Sequence, residues 1–224
     1  MLFRDRLQAG RYLATKLFNY AGRPNTLVLA LPRGGVPVAF EVAQALKVPL
    51  DVFIVRKLGV PGQEELAMGA TATGKIRVLN EGVIRDLSVT EETIEAVAAS
   101  EERELERREQ LYRGDRPPAD LKGKTLILID DGLATGSTMR AAVVALKRRN
   151  PARIVVAVPV AAAATCNEFK SEVDALVCAV TPEPFFSVGQ WFDDFSQTSD
   201  QEVQELLKRA TRLHPVSSRT TACE

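Results

Sequence analysis

The sequence predicts an α/β protein with a mostly parallel central sheet flanked by helices. Three observations carry this reading. Five short apolar runs, at 26–31, 50–55, 125–129, 153–159 and 175–179, have the near-continuous hydrophobicity of strands buried on both faces. Segments with helical spacing of apolar residues separate most of them. Glycine, proline and asparagine punctuate the joints, and such strand–helix alternation is the pattern of a parallel sheet.

Taken in order, residues 4–20 read as an amphipathic helix, with Leu7, Tyr12, Leu13 and Leu17 on one face. Gly22, Pro24 and Asn25 end it. The first strand, 26–31, runs into Pro32-Arg33-Gly34-Gly35, a tight loop. A helix follows over 36–46, then the second strand, 50–55. The pattern loosens between 57 and 74, with short strands expected at 67–72 and 75–79. Gln63, Glu64 and Glu65 read as solvated loop residues. A charged helix covers 90–112, with a capping box from Ser88 and Glu91 and an i,i+4 pair of Glu104 and Arg108. Its thin apolar stripe is Ile94, Val97, Leu105 and Tyr112. Strand 125–129, helix 139–149, strand 153–159, helix 161–170 and strand 175–179 follow. An aromatic-rich segment at 184–195 precedes a last helix at 200–213 and a Ser/Thr tail.

A single domain over 1–224 accounts for this order, with a core at 24–182, a helical insertion at 81–118 and a small covering segment at 183–198. There is no internal repeat and no long linker.

Lys+Arg and Asp+Glu both number 29, so the chain lacks the basic excess of a dedicated nucleic-acid binder. No apolar run approaches the ~18 residues that span a bilayer, and the N-terminus lacks a signal-peptide layout. A cytoplasmic protein without membrane partners is expected. His214 is the one histidine, which removes zinc hydrolases that need two or three His ligands and leaves a Ser-His-Asp triad improbable. Cys166, Cys178 and Cys223 match no zinc or redox spacing; the first two read as small core residues without a disulfide.

The chemistry gathers at the end of strand 125–129. Asp130 and Asp131 stand side by side there, where open α/β sheets place their ligands. Adjacent carboxylates repel when buried, so they need hydroxyls or a metal as partners. Gly132-Leu133-Ala134-Thr135-Gly136-Ser137-Thr138 then leads into a helix. Small residues admit an anion to backbone N–H groups, hydroxyls add donors, and the helix N-terminus adds its dipole. Diol-binding carboxylates followed by a phosphate cradle describe a sugar-phosphate site. Neither half alone outweighs an ordinary helix cap; the joined pattern is far more specific, and it is neither a Walker loop nor a GxGxxG fingerprint.

The run from Leu126 to Thr138 resembles the 5-phosphoribosyl 1-pyrophosphate (PRPP) signature of type I phosphoribosyltransferases. The resemblance covers most of the chain, roughly 27–195. It implies that Asp130 and Asp131 hold the ribose hydroxyls and that residues 134–138 hold the 5-phosphate. It implies that Arg33, Gly34 and Gly35 form a pyrophosphate loop, where family members often have a non-proline cis peptide. Arg56 and Lys57 stand where the family has a basic residue near pyrophosphate, and read equally as solvated charges. The segment 185–194 resembles the family's hood over the acceptor base, with Trp191 and Phe192 as a stacking surface or as packing. The implied activity is transfer of phosphoribose from PRPP to a nitrogenous base, with Mg²⁺ carried by PRPP and with Asp130 and Asp131 reaching it through water. A homodimer is also implied. Many members that use hypoxanthine or guanine have an Asp where this chain has Ala134, so the acceptor stays open. A PRPP-sensing regulator is the alternative; the pyrophosphate loop and the absence of an appended helix-turn-helix favour the enzyme. A hydrolase or phosphorylase using the same pocket is a weaker third reading.

Overall fold

The computed structural model describes residues 3–215, with the side chain of residue 65 left aside. Cys223 and most of the Ser/Thr tail lie outside the described residues. Five strands, β1 (Thr26–Ala30), β2 (Leu50–Val52), β6 (Thr125–Ile129), β7 (Arg153–Val160) and β8 (Ala175–Val180), form a parallel sheet in the order β2-β1-β6-β7-β8. Strands β3 (Val55–Val60), β4 (Gln63–Ala72) and β5 (Ile76–Leu79) form a separate antiparallel sheet.

Side chains alternate across a strand, so each run feeds two cores. Val28, Ala30, Ile127, Ile129, Val155 and Ala157 face one layer, made by α1 (Arg6–Lys16), α2 (Gly35–Leu46) and α7 (Asp200–Leu213). Leu27, Leu29, Leu126, Leu128, Ile154, Val156 and Val158 face the other, made by α5 (Ser137–Lys147) and α6 (Ala163–Phe169). Helices on both faces explain why these strands are apolar throughout. The helices α1 and α2 cross closely at Gly10, where an added Cβ would lie 2.6 Å from the Val38 carbonyl oxygen.

The insertion consists of α3 (Glu81–Asp86) and α4 (Glu91–Arg113). The stripe on α4 is real: Ile94, Leu105 and Tyr112 are buried, and Val97 packs partly against the β3–β4 hairpin. Arg113 at its end is a buried cation, 2.9 Å from Asp51 on β2 and 2.9 Å from Glu109. Its guanidinium also donates to the Val52 carbonyl.

Three expectations need correction. The stretch 57–74 is not loose: β3 and β4 form a hairpin whose register slips between Leu58 and Val60. At Gly59 a Cβ would lie 2.8 Å from the Glu64 carbonyl oxygen, so the bulged hairpin requires the glycine that made it look like a loop. The cap of α4 is Thr90, which accepts from the Thr93 amide, whereas Ser88 sits at φ +49° in the preceding turn. Cys166 and Cys178 are joined by a disulfide, because α6 lies directly across β8 and brings residues 12 apart in sequence into reach.

Candidate functional site

Strands β1 and β6 are neighbours in register, Ala30 beside Ile129. The chain leaves β1 toward β2 on one side and β6 toward β7 on the other, so a switch point opens between them. The loops after the two strands, 31–35 and 130–136, therefore meet at one edge of the sheet.

They meet tightly. The Leu31 amide donates to the Ile129 carbonyl at 2.9 Å, and the Gly35 amide to the Leu31 carbonyl at 3.1 Å. A Cβ on Gly34 would lie 2.0 Å from Asp131 Oδ2; one on Gly35 would lie 2.8 Å from the Ile129 carbonyl oxygen and 2.9 Å from Asp130 Cα. Both glycines are required by this approach. The Pro32–Arg33 peptide is cis, as the resemblance implies.

In the second loop, Leu133 is buried and its backbone bonds to Val160 and Ala162, pinning the loop to β7. Gly136 caps α5 at φ +74°, and a Cβ there would lie 2.5 Å from the Phe169 ring, so a side chain is barred by both backbone and space. The Thr165 hydroxyl donates to the Ala134 carbonyl at 2.5 Å, fixing the loop from α6. Thr135, Ser137 and Thr138 remain exposed at the N-terminus of α5. Together with Asp130 and Val188 they line a cavity of about 170 Å³. Val188 closes it from the covering segment, against Gly132.

Burial pushes the Asp130 carboxyl well above the usual carboxylate range, and the adjacent Asp131 charge adds to the rise. Asp131 is raised too, by burial, with Arg6 pulling the other way. Arg33 Nη1 lies 3.8 Å from Asp200 at the start of α7. The Tyr112 hydroxyl donates to the same carboxylate at 2.6 Å; burial first, and then that bond, push its pKa up to about 12.

The remaining expected residues are placed differently. Arg56 lies 2.6 Å from Glu101 of α4 and, with Lys57, lines a separate cleft of about 610 Å³ between the hairpin and α4. Phe192 is buried in an aromatic cluster, its ring 5.7 Å from Phe3 and 5.0 Å from Phe195. Trp191 packs at the border of that cluster, and its Nε1 is buried without a partner. Two residues that touch the site, Arg6 and Asp200, carried no signal of it. Each reads locally as an ordinary charge in the first turn of a helix, and Arg6 meets its partner across 125 residues of sequence.

The sequence model of the phosphoribosyl transferase domain matches residues 3–188. The chain belongs to the phosphoribosyl transferase family. Relatives agree with this. Two Mycobacterium tuberculosis proteins, from strains CDC 1551 and H37Rv, carry the name "Putative phosphoribosyl transferase" and are 45% identical over 211 residues. The match takes in 94% of this chain and 47% of each relative, so the chain spans about half the length of these curated proteins. The crystal structure of TT1426 from Thermus thermophilus superposes with a TM-score of 0.83 at 40% identity, covering 93% of this chain and 99% of that one. The α/β architecture, a five-stranded parallel sheet flanked by helices, accords with that family.

Proposed function

We propose that this domain binds PRPP with Mg²⁺ and transfers the 5-phosphoribosyl group to a nitrogen of a base, releasing pyrophosphate. The observation that supports this reading is the contact of the two loops, with Gly34 and Gly35 packed directly on Asp131 and Asp130. One ligand laid across that seam would present a diol, a phosphate and a pyrophosphate to groups suited to each.

Asp130 and Asp131 take the ribose hydroxyls. Ala134, Thr135, Gly136, Ser137 and Thr138 take the 5-phosphate through amides and hydroxyls at the start of α5. Arg33 and the Gly34 amide take the pyrophosphate, Arg33 exchanging Asp200 for phosphate oxygens.

Among the described residues no cluster of three or more His, Cys, Asp or Glu could cage a metal. A lone carboxylate pair suits Mg²⁺, which keeps waters and takes ligands from phosphates. Asp130 and Asp131 would hold it through water, and when bound it neutralises charge on the departing pyrophosphate. The two carboxylates also favour the positive charge that develops on the ribose as the bond to pyrophosphate lengthens. Val188 and the segment around Trp191 cover the acceptor side and exclude water.

A screen of purine and pyrimidine bases for pyrophosphate release tests the transfer step. One base should give release that depends on base, Mg²⁺ and PRPP together. Tight PRPP binding with no base-dependent release would contradict transfer and leave a sensor.

A further inference from the structure

We propose that Arg6 is the positioning residue of the PRPP site: it fixes the Asp131 carboxylate for the ribose and ties it to the covering segment. The inference rests on the PRPP reading above and adds to it a residue from the N-terminal helix, outside both loops.

Arg6 is the first residue of α1, and its side chain is only 11% exposed. Its Nε and Nη2 both lie 2.9 Å from Asp131 Oδ2. Its Nη1 donates to the Ser196 carbonyl at 2.7 Å. The guanidinium carbon sits 3.9 Å above the Phe195 ring centroid. A Cβ on Gly34 would come within 3.3 Å of Nε, so the same group also lines the pyrophosphate loop. A planar fork held through all three nitrogens and one face has one orientation, which a lysine cannot reproduce.

Both nitrogens converge on Oδ2, which leaves Oδ1 for a sugar hydroxyl. Asp130 adjoins Asp131, and Asp194 lies in the field of Arg6. Arg33 is paired with Asp200 on the side of α7. Arg6 is the cation bonded to the pair.

Calorimetric titration of wild type, Arg6→Gln and Arg6→Lys with PRPP and Mg²⁺ tests this, with thermal unfolding of each variant alongside. Arg6→Gln should bind at least about tenfold more weakly at pH 7, and Arg6→Lys, which keeps the charge but not the fork, should recover part of that loss. If Arg6→Gln does not fold, Arg6→Lys carries the test, with a loss of about threefold or more expected. Three results would overturn the inference: wild-type affinity in the variants, tighter binding, or a loss in both variants that only follows a fall in Tm. The second would make Arg6 a plug and the third a mere staple of the covering segment. Failure of the wild type itself to bind would count against the PRPP reading instead.

Discussion

Asp130 and Asp131 are the residues on which local chemistry and fold disagree most. Two adjacent carboxylates at a buried strand end are costly without a ligand, and both are raised above the ordinary carboxylate range. For a carboxyl whose folded pKa is raised, the folded state holds its proton more firmly than the unfolded chain. The penalty is therefore absent below the ordinary range near pH ~4 and grows as pH rises through the folded value. Asp130→Asn should stabilise the ligand-free protein at pH 7–8 by about 1 kcal/mol, a rise in Tm of roughly 2–4 °C. That gain should close below pH ~4. A lower Tm at pH 7 would show that the charge is compensated in the folded protein. Gly34 makes a complementary prediction. A methyl group there would fall 2.0 Å from Asp131 Oδ2, and the carboxylate must move aside. Gly34→Ala should lower Tm by roughly 2–4 °C, for about 1 kcal/mol, while Mg-PRPP affinity falls about tenfold or more, read by calorimetry.

At the scale of elements, α4 is the part the sequence described least well. Its apolar stripe was legible from spacing, and Ile94, Leu105 and Tyr112 are buried as that spacing requires. What the stripe packs against was not legible. The hairpin beneath it, β3–β4, carries Gly59, Gly62 and Gly69, whose close approaches and turn break the strand pattern. Buried ion pairs were hidden for another reason: Arg113 and Asp51 lie 62 residues apart, and nothing local marks either one. Arg113→Leu removes one partner and leaves Asp51 buried without its cation. It should cost about 3–5 kcal/mol. Chemical denaturation should show the midpoint fall, with release of α4 from β2. A loss under about 1 kcal/mol would mean that water reaches Asp51. Four of the five core strands were read to within a residue at each end, because continuous apolar runs flanked by turn formers admit few alternatives; the second, read over 50–55, ends at Val52, and its apolar run continues into β3 from Val55.

The whole molecule brings together what the chain keeps far apart. The 31–35 loop and the Asp130–Thr138 loop meet because β1 pairs with β6. Helices near both ends of the described chain then supply the countercharges, Arg6 from α1 and Asp200 from α7. The motif residues were legible because their types and order are specific as a unit. Arg6 and Asp200 were not, since only the tertiary fold gives them partners. None of the described helices is long and apolar enough to cross a membrane.

Thermal unfolding with and without Mg²⁺ and PRPP, in wild type and in the Asp130→Asn/Asp131→Asn double variant, decides whether this seam binds PRPP. Ligand at a hundred times its dissociation constant adds about 2.7 kcal/mol. For a domain of this size Tm should rise by roughly 5–10 °C in wild type, and the rise should disappear in the variant. No rise in wild type at millimolar PRPP, or an equal rise in the variant, would contradict PRPP binding there.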